Sequence, residues 1–315
     1  MTNARSWLTA LLLLQLLLAA GLLLTRQGPD DGGTPQPLLP MASSAVDRMV
    51  ISDGAAQATV VRQDGAWMLP DAQLPANASK VNDILQRLEE TATEWPVTTT
   101  SGSHARFEVA EETFQRRVQL FRGDEQAAAF YLGTAPGFRK VHLRRAGEDA
   151  VYAVTLNAFD LPASEDAWLD QSLLAVAEPK RIVGPDYTLA ESGDGVWTLT
   201  GGGATAAAAT DPLDDERARQ LASAFANLRV QSVVDDAPEA QTGEAVTVSV
   251  ETADGSYRYH FHRGDEGYYV RRDDRPAVFS LSQYDYDRIT GVGLAELVHQ
   301  SEEAETAEAV EESDS

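Results

Sequence analysis

Two hydrophobic periods run along this chain, and each occurs twice. In KVNDILQRLEETATEWPV (80–97), Val81, Ile84, Leu85 and Leu88 fall at i, i+3, i+4 and i+7, the apolar stripe of an amphipathic helix. The segment RARQLASAFANLRVQSVV (217–234) aligns with it without a gap, and its stripe is Ala218, Leu221, Ala222 and Phe225. Pro75 and Pro212 precede the two helices by the same distance, with Asn77 and Asp214 available as caps. Each helix is predicted to run into a short apolar strand, Trp95–Val97 in one case and Val233–Val234 in the other.

The second period is two. VDRMVISDGAAQATVVRQDGAWMLP (46–70) matches PKRIVGPDYTLAESGDGVWTLT (179–200), and both contain Asp-Gly-x-Trp, at Asp64, Gly65 and Trp67 and at Asp194, Gly195 and Trp197. Asp-Gly between alternating apolar residues predicts a two-residue hairpin whose central positions both have φ > 0. Each tryptophan then opens a return strand and points inward. Val118–Leu132 resembles Val246–His262, and VYAVTLNAFD (151–160) corresponds to VFSLSQYDYD (278–287). Tyr257, Tyr259 and Phe261 alternate with Arg258, His260 and His262, which puts aromatic and basic groups on opposite faces of a strand.

The fold class read from this pattern is α+β. Tandem duplicated units, each a β-hairpin, one amphipathic helix and mainly antiparallel strands, follow one N-terminal transmembrane helix. That helix is residues 7–24, WLTALLLLQLLLAAGLLL, with eleven leucines and no charge. Eighteen residues rising about 1.5 Å each cover roughly 27 Å, enough for a thin bilayer. A cleavable signal is the rival reading, but its apolar region runs only about 7–15 residues before a small-residue site. Here Ala19-Ala20-Gly21 lies inside the run, with three leucines still to come. The remaining divisions are a cytoplasmic stub (1–6), a Pro/Gly-rich spacer (25–40), a first unit (41–176), a second unit (177–299) and an acidic, disordered tail (300–315). Arg5 keeps the amino terminus inside and sends the body into the periplasm.

Composition narrows the function. The 315 residues include no cysteine, which removes disulfides, thiolate metal sites and cysteine nucleophiles. A formal net charge of −24 repels nucleic acid. Arginine outnumbers lysine 22 to 3, a genome or salt bias that names no ligand.

Arg48-Met49-Val50-Ile51, the Asp-Gly-x-Trp hairpin, the helix from Lys80, Val151-Tyr152-Ala153-Val154 and Trp168-Leu169-Asp170-Gln171-Ser172-Leu173-Leu174 occur in an order that resembles the bacterial domain of unknown function 4340 family. Trp168–Leu174 is similar to that family's Trp-Arg-Asp-Lys-x-Leu-Leu segment, with Leu169 and Gln171 in place of the two basic residues. The resemblance covers roughly residues 41–290. It implies one amino-terminal membrane helix, an extracytoplasmic body and an association with gliding-motility-type ABC transport systems. It carries over no catalytic residue.

The residues themselves add little chemistry. His260-x-His262 has the spacing of two ligands on one strand face, but no third ligand is evident. Gly201-Gly202-Gly203 lacks the lysine of a phosphate loop. Acidic pairs such as Asp214-Asp215 and Asp235-Asp236 are expected from composition alone. The leading expectation is therefore a non-enzymatic accessory protein of an ABC-type export or envelope-assembly system. It uses no cofactor and no metal, sits in the inner membrane through residues 7–24, and contacts a permease or auxiliary membrane subunit. An envelope glycan-binding module is the alternative, with Tyr257, Tyr259, Tyr268, Tyr269, Tyr284 and Tyr286 as its stacking tyrosines and the last four as the interaction surface. A hydrolase with an unrecognised site ranks below both. Trp67, Trp197, Leu85, Leu88, Leu221, Phe225 and Trp168 are assigned to the core of the repeat.

Overall fold

The computed structural model describes Gln15 and residues 35–201, 212–234 and 245–298. The apolar run 7–24, apart from Gln15, lies outside the described residues, as do most of the spacer and the acidic tail. No helix among the described residues is long and apolar enough to cross a membrane. The architecture is α+β, with antiparallel sheets and three α-helices among those residues.

Chain order begins with β1 (Gln36–Pro37), β2 (Arg48–Ser52), β3 (Gln57–Gln63), β4 (Ala66–Leu69), β5 (Leu74–Pro75) and helix α1 (Ala78–Glu90). It continues with β6 (Ala92–Thr93), β7 (Pro96–Thr98), β8 (Arg116–Arg122), β9 (Glu125–Leu132), β10 (Val141–Arg145) and β11 (Val151–Val154). Then come β12 (Arg181–Val183), β13 (Tyr187–Ser192), β14 (Val196–Gly201), α2 (Asp215–Ala226), β15 (Val230–Val234), β16 (Ala245–Glu251), β17 (Ser256–Arg263), β18 (Tyr268–Arg272), β19 (Val278–Leu281) and α3 (Gln283–Thr290).

The chain forms two compact units. One holds residues up to Gly65 together with Ser79–Ser164; the other holds Ala66–Ala78 and everything from Glu165. The sequence reading puts the boundary between residues 176 and 177; by compactness the residues from Glu165 onward, with β4 and β5, group with the second unit.

In the first unit the strand order is β3-β2-β8-β9-β10-β11-β7, every pair antiparallel. Alternation places Met49, Ile51, Val60, Val118, Leu120 and Phe130 at full burial. The α1 stripe, Val81, Ile84, Leu85 and Leu88, is buried too. A side chain of that size contributes roughly 1.5–3 kcal/mol when it leaves water, so the apolar period rather than propensity holds this helix in place. The small strand β1 pairs with β6 in a separate two-stranded ribbon. Trp95 stands outside the predicted strand: the strand begins at Pro96, and Trp95 is 69% exposed.

In the second unit the order is β14-β13-β12-β16-β17-β18-β19-β15. Helix α2 is capped by Asp214, whose Oδ1 accepts from the backbone N–H of Glu216 at 2.9 Å and of Arg217 at 3.1 Å. Phe225 on α2 packs against Tyr259 and Phe261 of β17, with centroids 5.3 and 6.5 Å apart. Val278–Phe279 pairs with Val234–Val233, but the residues after Leu281 depart from the match between 151–160 and 278–287. Gln283–Thr290 is a helix, where residues 158–160 of the first unit make a single 3-10 turn. Ser282 starts it: its hydroxyl accepts from the Asp285 N–H at 3.0 Å and donates to the Asp285 carboxylate at 2.7 Å.

The two Asp-Gly turns also differ. Asp64 and Gly65 have φ of +50° and +84°, as a two-residue I′ turn requires. Ser192 pairs with Val196, which leaves Gly193, Asp194 and Gly195 as a three-residue loop in which only Gly195 has positive φ. Both turns deliver their tryptophans inward, Trp67 at 3% exposure and Trp197 at 7%.

Candidate functional site

The segment that most resembles the family pattern is a strap across the second unit. Trp168 is completely buried, and Leu169 beside it is 2% exposed. On one side the Trp168 carbonyl accepts from the Asn77 N–H at 2.7 Å, and the Asp170 N–H donates to the Pro75 carbonyl at 2.9 Å. On the other side the Gln171 carbonyl accepts from the Val230 N–H at 2.9 Å, and the Asp166 carboxylate accepts from the Val233 N–H at 3.1 Å. Asp170 closes a local turn by accepting from the Ser172 N–H and hydroxyl at 3.0 and 2.6 Å. The strap is thus stitched to strand backbone along both edges, so its register is fixed by main-chain bonds rather than by the two side chains that depart from the family pattern.

Its far end is held by a buried polar cluster. The Leu174 carbonyl accepts from the Tyr259 hydroxyl at 2.7 Å and from Arg272 Nη1 at 3.1 Å. Arg272, 4% exposed, also gives Nε and Nη2 to the Asp274 carboxylate at 2.6 and 3.0 Å. Its guanidinium lies 4.7 Å from the Tyr257 ring centroid. Burial alone would make this cation costly, but a bidentate carboxylate, a carbonyl and a ring face replace the lost water. The bond from Arg272 holds Asp274 below the usual carboxylate range. Burial pushes the Tyr259 hydroxyl up to about 12, so it keeps its proton and remains a donor to Leu174.

The first unit carries a related clasp. Arg145 Nη2 donates to the Pro37 carbonyl at 2.8 Å and Nη1 to the Thr93 hydroxyl at 3.0 Å. Just beyond Pro37, Leu38 and Leu39 are 2% and 3% exposed, and the Leu38 N–H donates to the Thr91 carbonyl at 2.7 Å. In each unit, therefore, the last arginine of an Arg-Arg pair ending one strand holds the carbonyl of an incoming segment at a Leu-Leu pair. Sequence reasoning missed Arg145 and Arg272. The signals were the Arg144-Arg145 and Arg271-Arg272 pairs, each following a strand of apolar residues, and the pairs Leu38-Leu39 and Leu173-Leu174.

The remaining candidates separate. Trp67, Trp168, Trp197, Leu85, Leu88, Leu221 and Phe225 are all buried. Of the six tyrosines expected to form a stacking surface, only Tyr284 is largely exposed, at 68%, and Tyr259 is completely buried. Tyr286 is a correction: it is buried, its ring 6.4 Å from Phe261 and 4.7 Å from Tyr268, because α3 turns it and Ile289 inward. Tyr268 and Tyr269 are half-buried, the latter against Val278. No continuous tyrosine face forms. His260 Nε2 lies 2.8 Å from an Asp273 carboxylate oxygen, whereas His262 is buried, and burial lowers its pKa. No cluster of three or more histidines and acids able to hold a metal occurs among the described residues. Asp214 is used as a helix cap, and Asp235-Asp236 and Gly202-Gly203 lie outside the described residues.

Clefts border the helices in both units. A cleft of about 870 Å³ in the second unit is lined by Arg217, Gln220 and Leu221 of α2 and by Tyr284, Asp287 and Arg288 of α3. Arg288 lies 5.0 Å from the Tyr284 ring centroid. A cleft of about 420 Å³ in the first unit includes Ile84 and Leu88 of α1, Leu156, and the Arg87–Asp160 ion pair at 2.6 Å.

The profile of the family described as "Domain of unknown function (DUF4340)" matches residues 67–245, more than half of the chain. This chain belongs to that family. The matched span runs from Trp67 through the strap to the start of β16 and so takes in the buried core of the strap. No curated protein and no solved structure matches the chain.

Proposed function

We propose that this member of the DUF4340 family is a non-enzymatic, membrane-anchored periplasmic accessory protein of an ABC-type export or envelope-assembly system, acting through protein contacts. The carrying observation is how the two units use their strongest polar groups. Arg144, Arg145 and Arg272 give donors to main-chain carbonyls that brace incoming segments and loops, and the large side chains fill cores. Such a body supports presentation of a rigid surface. The uncharged run 7–24 supplies the anchor in this reading.

The same observations favour a tandem duplication. β3-β2-β8-β9-β10-β11-β7 and β13-β12-β16-β17-β18-β19-β15 follow one order. A helix precedes β6 and β7 in one unit and β15 in the other. The shared arginine clasp extends the repeat to residues that the sequence comparison had not aligned.

Crosslinking in native membranes followed by extraction in mild detergent tests the reading. A permease or auxiliary membrane subunit is expected to co-purify. Recovery of the protein alone, from cells that express such a system, would defeat it. One observation favours the glycan-binding alternative: Tyr284 is exposed on the wall of the larger cleft, with Arg288 beside it. A sugar ring could stack on that tyrosine, and loss of polysaccharide retention in Y284A would then identify it.

A further inference from the structure

Gln-x-Leu-Leu occurs at Gln36-Pro37-Leu38-Leu39 and again at Gln171-Ser172-Leu173-Leu174, and each unit seats its own segment in the same way. In the gapless match of the two helices, Thr93 stands where Val230 does. Gln36 pairs antiparallel with Thr93, and the Gln171 carbonyl accepts from the Val230 N–H at 2.9 Å. Each segment therefore meets the chain that leaves the helix in one register. The direction agrees as well: the Leu38 N–H donates to the Thr91 carbonyl at 2.7 Å, and the Val176 N–H to the Phe225 carbonyl at 3.1 Å. Both leucine pairs are buried. Arg145 and Arg272 close over the two segments from matching strand ends, on the Pro37 and Leu174 carbonyls. One kind of ligand, an extended Gln-x-Leu-Leu strand, thus has two seats in this fold.

The first seat grips its segment less completely than the second. Arg145 pairs across the sheet with Phe130, where Arg272 pairs with Tyr259. The hydroxyl that holds the Leu174 carbonyl therefore has no counterpart in the first unit. Beside the segment lies a cleft of about 450 Å³ lined by Gln36, Pro37, Leu38, Phe130 and Arg145. The second-unit segment is stitched on either side, at Asp166 and at Val176, whereas residues 36–37 form only a two-residue ribbon with β6, apart from the main sheet. Their departure breaks no main-sheet pairing, and another Leu-Leu pair entering in their place restores the same burial. A strand held by main-chain bonds and two apolar side chains is recognised by β-augmentation.

The last segment of the chain carries the wrong chemistry for this seat. The Leu297 carbonyl accepts from the Asp214 N–H at 2.9 Å, as the Trp168 carbonyl does from the Asn77 N–H at 2.7 Å. Val298 bridges to Leu213 as Leu169 bridges to Ala76. Counting on from there, Gln300-Ser301 corresponds to Gln171-Ser172, and Glu302-Glu303 takes the place of the leucines. Two carboxylates in a leucine seat would lose their water without gaining a partner. The acidic tail is therefore not the ligand. We propose that the first unit's seat is a peptide-binding site for an extended Gln-x-Leu-Leu segment of a partner protein, held shut in the isolated chain by residues 36–39. The partner rests on the protein-contact reading above, but the test uses the purified chain alone, so either can fail without the other.

The full chain is purified in mild detergent and titrated with a fluorescent peptide of the second-unit sequence, LDQSLLAV (169–176). The L38D/L39D chain, its own segment expelled, is expected to bind the peptide at least about tenfold more tightly than the parent, whose tethered segment competes at high effective concentration. Adding R145M should weaken that binding about tenfold, and the tail sequence HQSEEAET (299–306) should not bind. Trapping in a folded chain covers the case in which L38D/L39D does not fold. Ala92 is exposed and pairs with Pro37 across the ribbon, and the chain has no cysteine of its own. A92C should therefore form a disulfide with the strap peptide bearing cysteine in place of its serine, and not with the tail peptide altered likewise. Equal affinity of the parent and L38D/L39D chains, equal trapping of both peptides, or trapping of neither overturns the proposal. A dimer that forms between A92C and P37C chains faster than the peptide is captured also overturns it, by assigning the seat to a second copy.

Discussion

The Tyr259 hydroxyl reaches the Leu174 carbonyl across 2.7 Å, and Arg272 donates to the same oxygen from 3.1 Å. One carbonyl of the strap is therefore held by two side chains from adjacent strands, and the strap is only as firm as this pair. In Y259F the carbonyl keeps its arginine, so the loss should be small, about 0.5–1.5 kcal/mol. In R272M the bidentate bond to Asp274, a half-exposed carboxylate, is lost as well, and the cost should rise to about 1.5–3 kcal/mol, the range for hydrogen bonds to charged groups. Chemical denaturation of the two variants checks the order; an equal loss would show that Arg272 adds nothing to the clasp.

Trp168 fills the space beneath the strap with no exposed surface. W168A should cost about 3–5 kcal/mol. Its neighbours test the departure from the family pattern. Leu169 is buried and Gln171 exposed, so L169R should destabilise by at least about 2 kcal/mol, whereas Q171K should stay within about 0.5 kcal/mol of the parent. Thermal melting of both variants decides it. An L169R chain as stable as its parent would mean that the strap leaves room for the family's arginine.

Acid should weaken the fold through two histidines. Burial lowers the pKa of His262, with His260 and Arg271 adding to it, and burial lowers that of His142. A group held below its ordinary value in the fold stabilises above that value, and the contribution fades as pH falls through it. Stability should therefore decline from about pH 7 toward about pH 5. H262L should flatten that decline, seen as a smaller shift in denaturation midpoint between the two pH values. An unchanged slope would remove His262 from the account.

Asp214 accepts two backbone N–H groups at the start of α2, whereas Asp215 is an exposed residue of the first turn. D214A should cost about 1 kcal/mol and D215A only a few tenths. Equal losses in a denaturant titration would point to the helix dipole rather than the cap.

Sequence reading reached the parts of this molecule that depend on local periodicity. The helix stripes from Val81 and Ala218, the inward tryptophans and the strand character of 118–132 and 246–262 are all set by spacing that a single strand or helix displays. It stopped where partners are distant. Nothing near Pro75 or Ala76 announces that this stretch groups with Trp168 and Asp170, nearly a hundred residues later. Helix α3 was hidden by the match between VYAVTLNAFD and VFSLSQYDYD. Ser282 three residues before Asp285 was the local capping signal that distinguished them, and missing it put Tyr286 on the surface. The arginine clasp was legible only as two Arg-Arg pairs and two Leu-Leu pairs, whose connection is made by the fold.

We propose that residues 7–24 hold the body outside the cytoplasm. A membrane-impermeant maleimide applied to intact spheroplasts tests it, because the chain has no cysteine of its own. With single cysteines introduced as N3C and D194C, the account predicts that D194C labels at once and N3C only after lysis. Labelling of neither before lysis, or recovery of a soluble chain lacking its first residues, would contradict it.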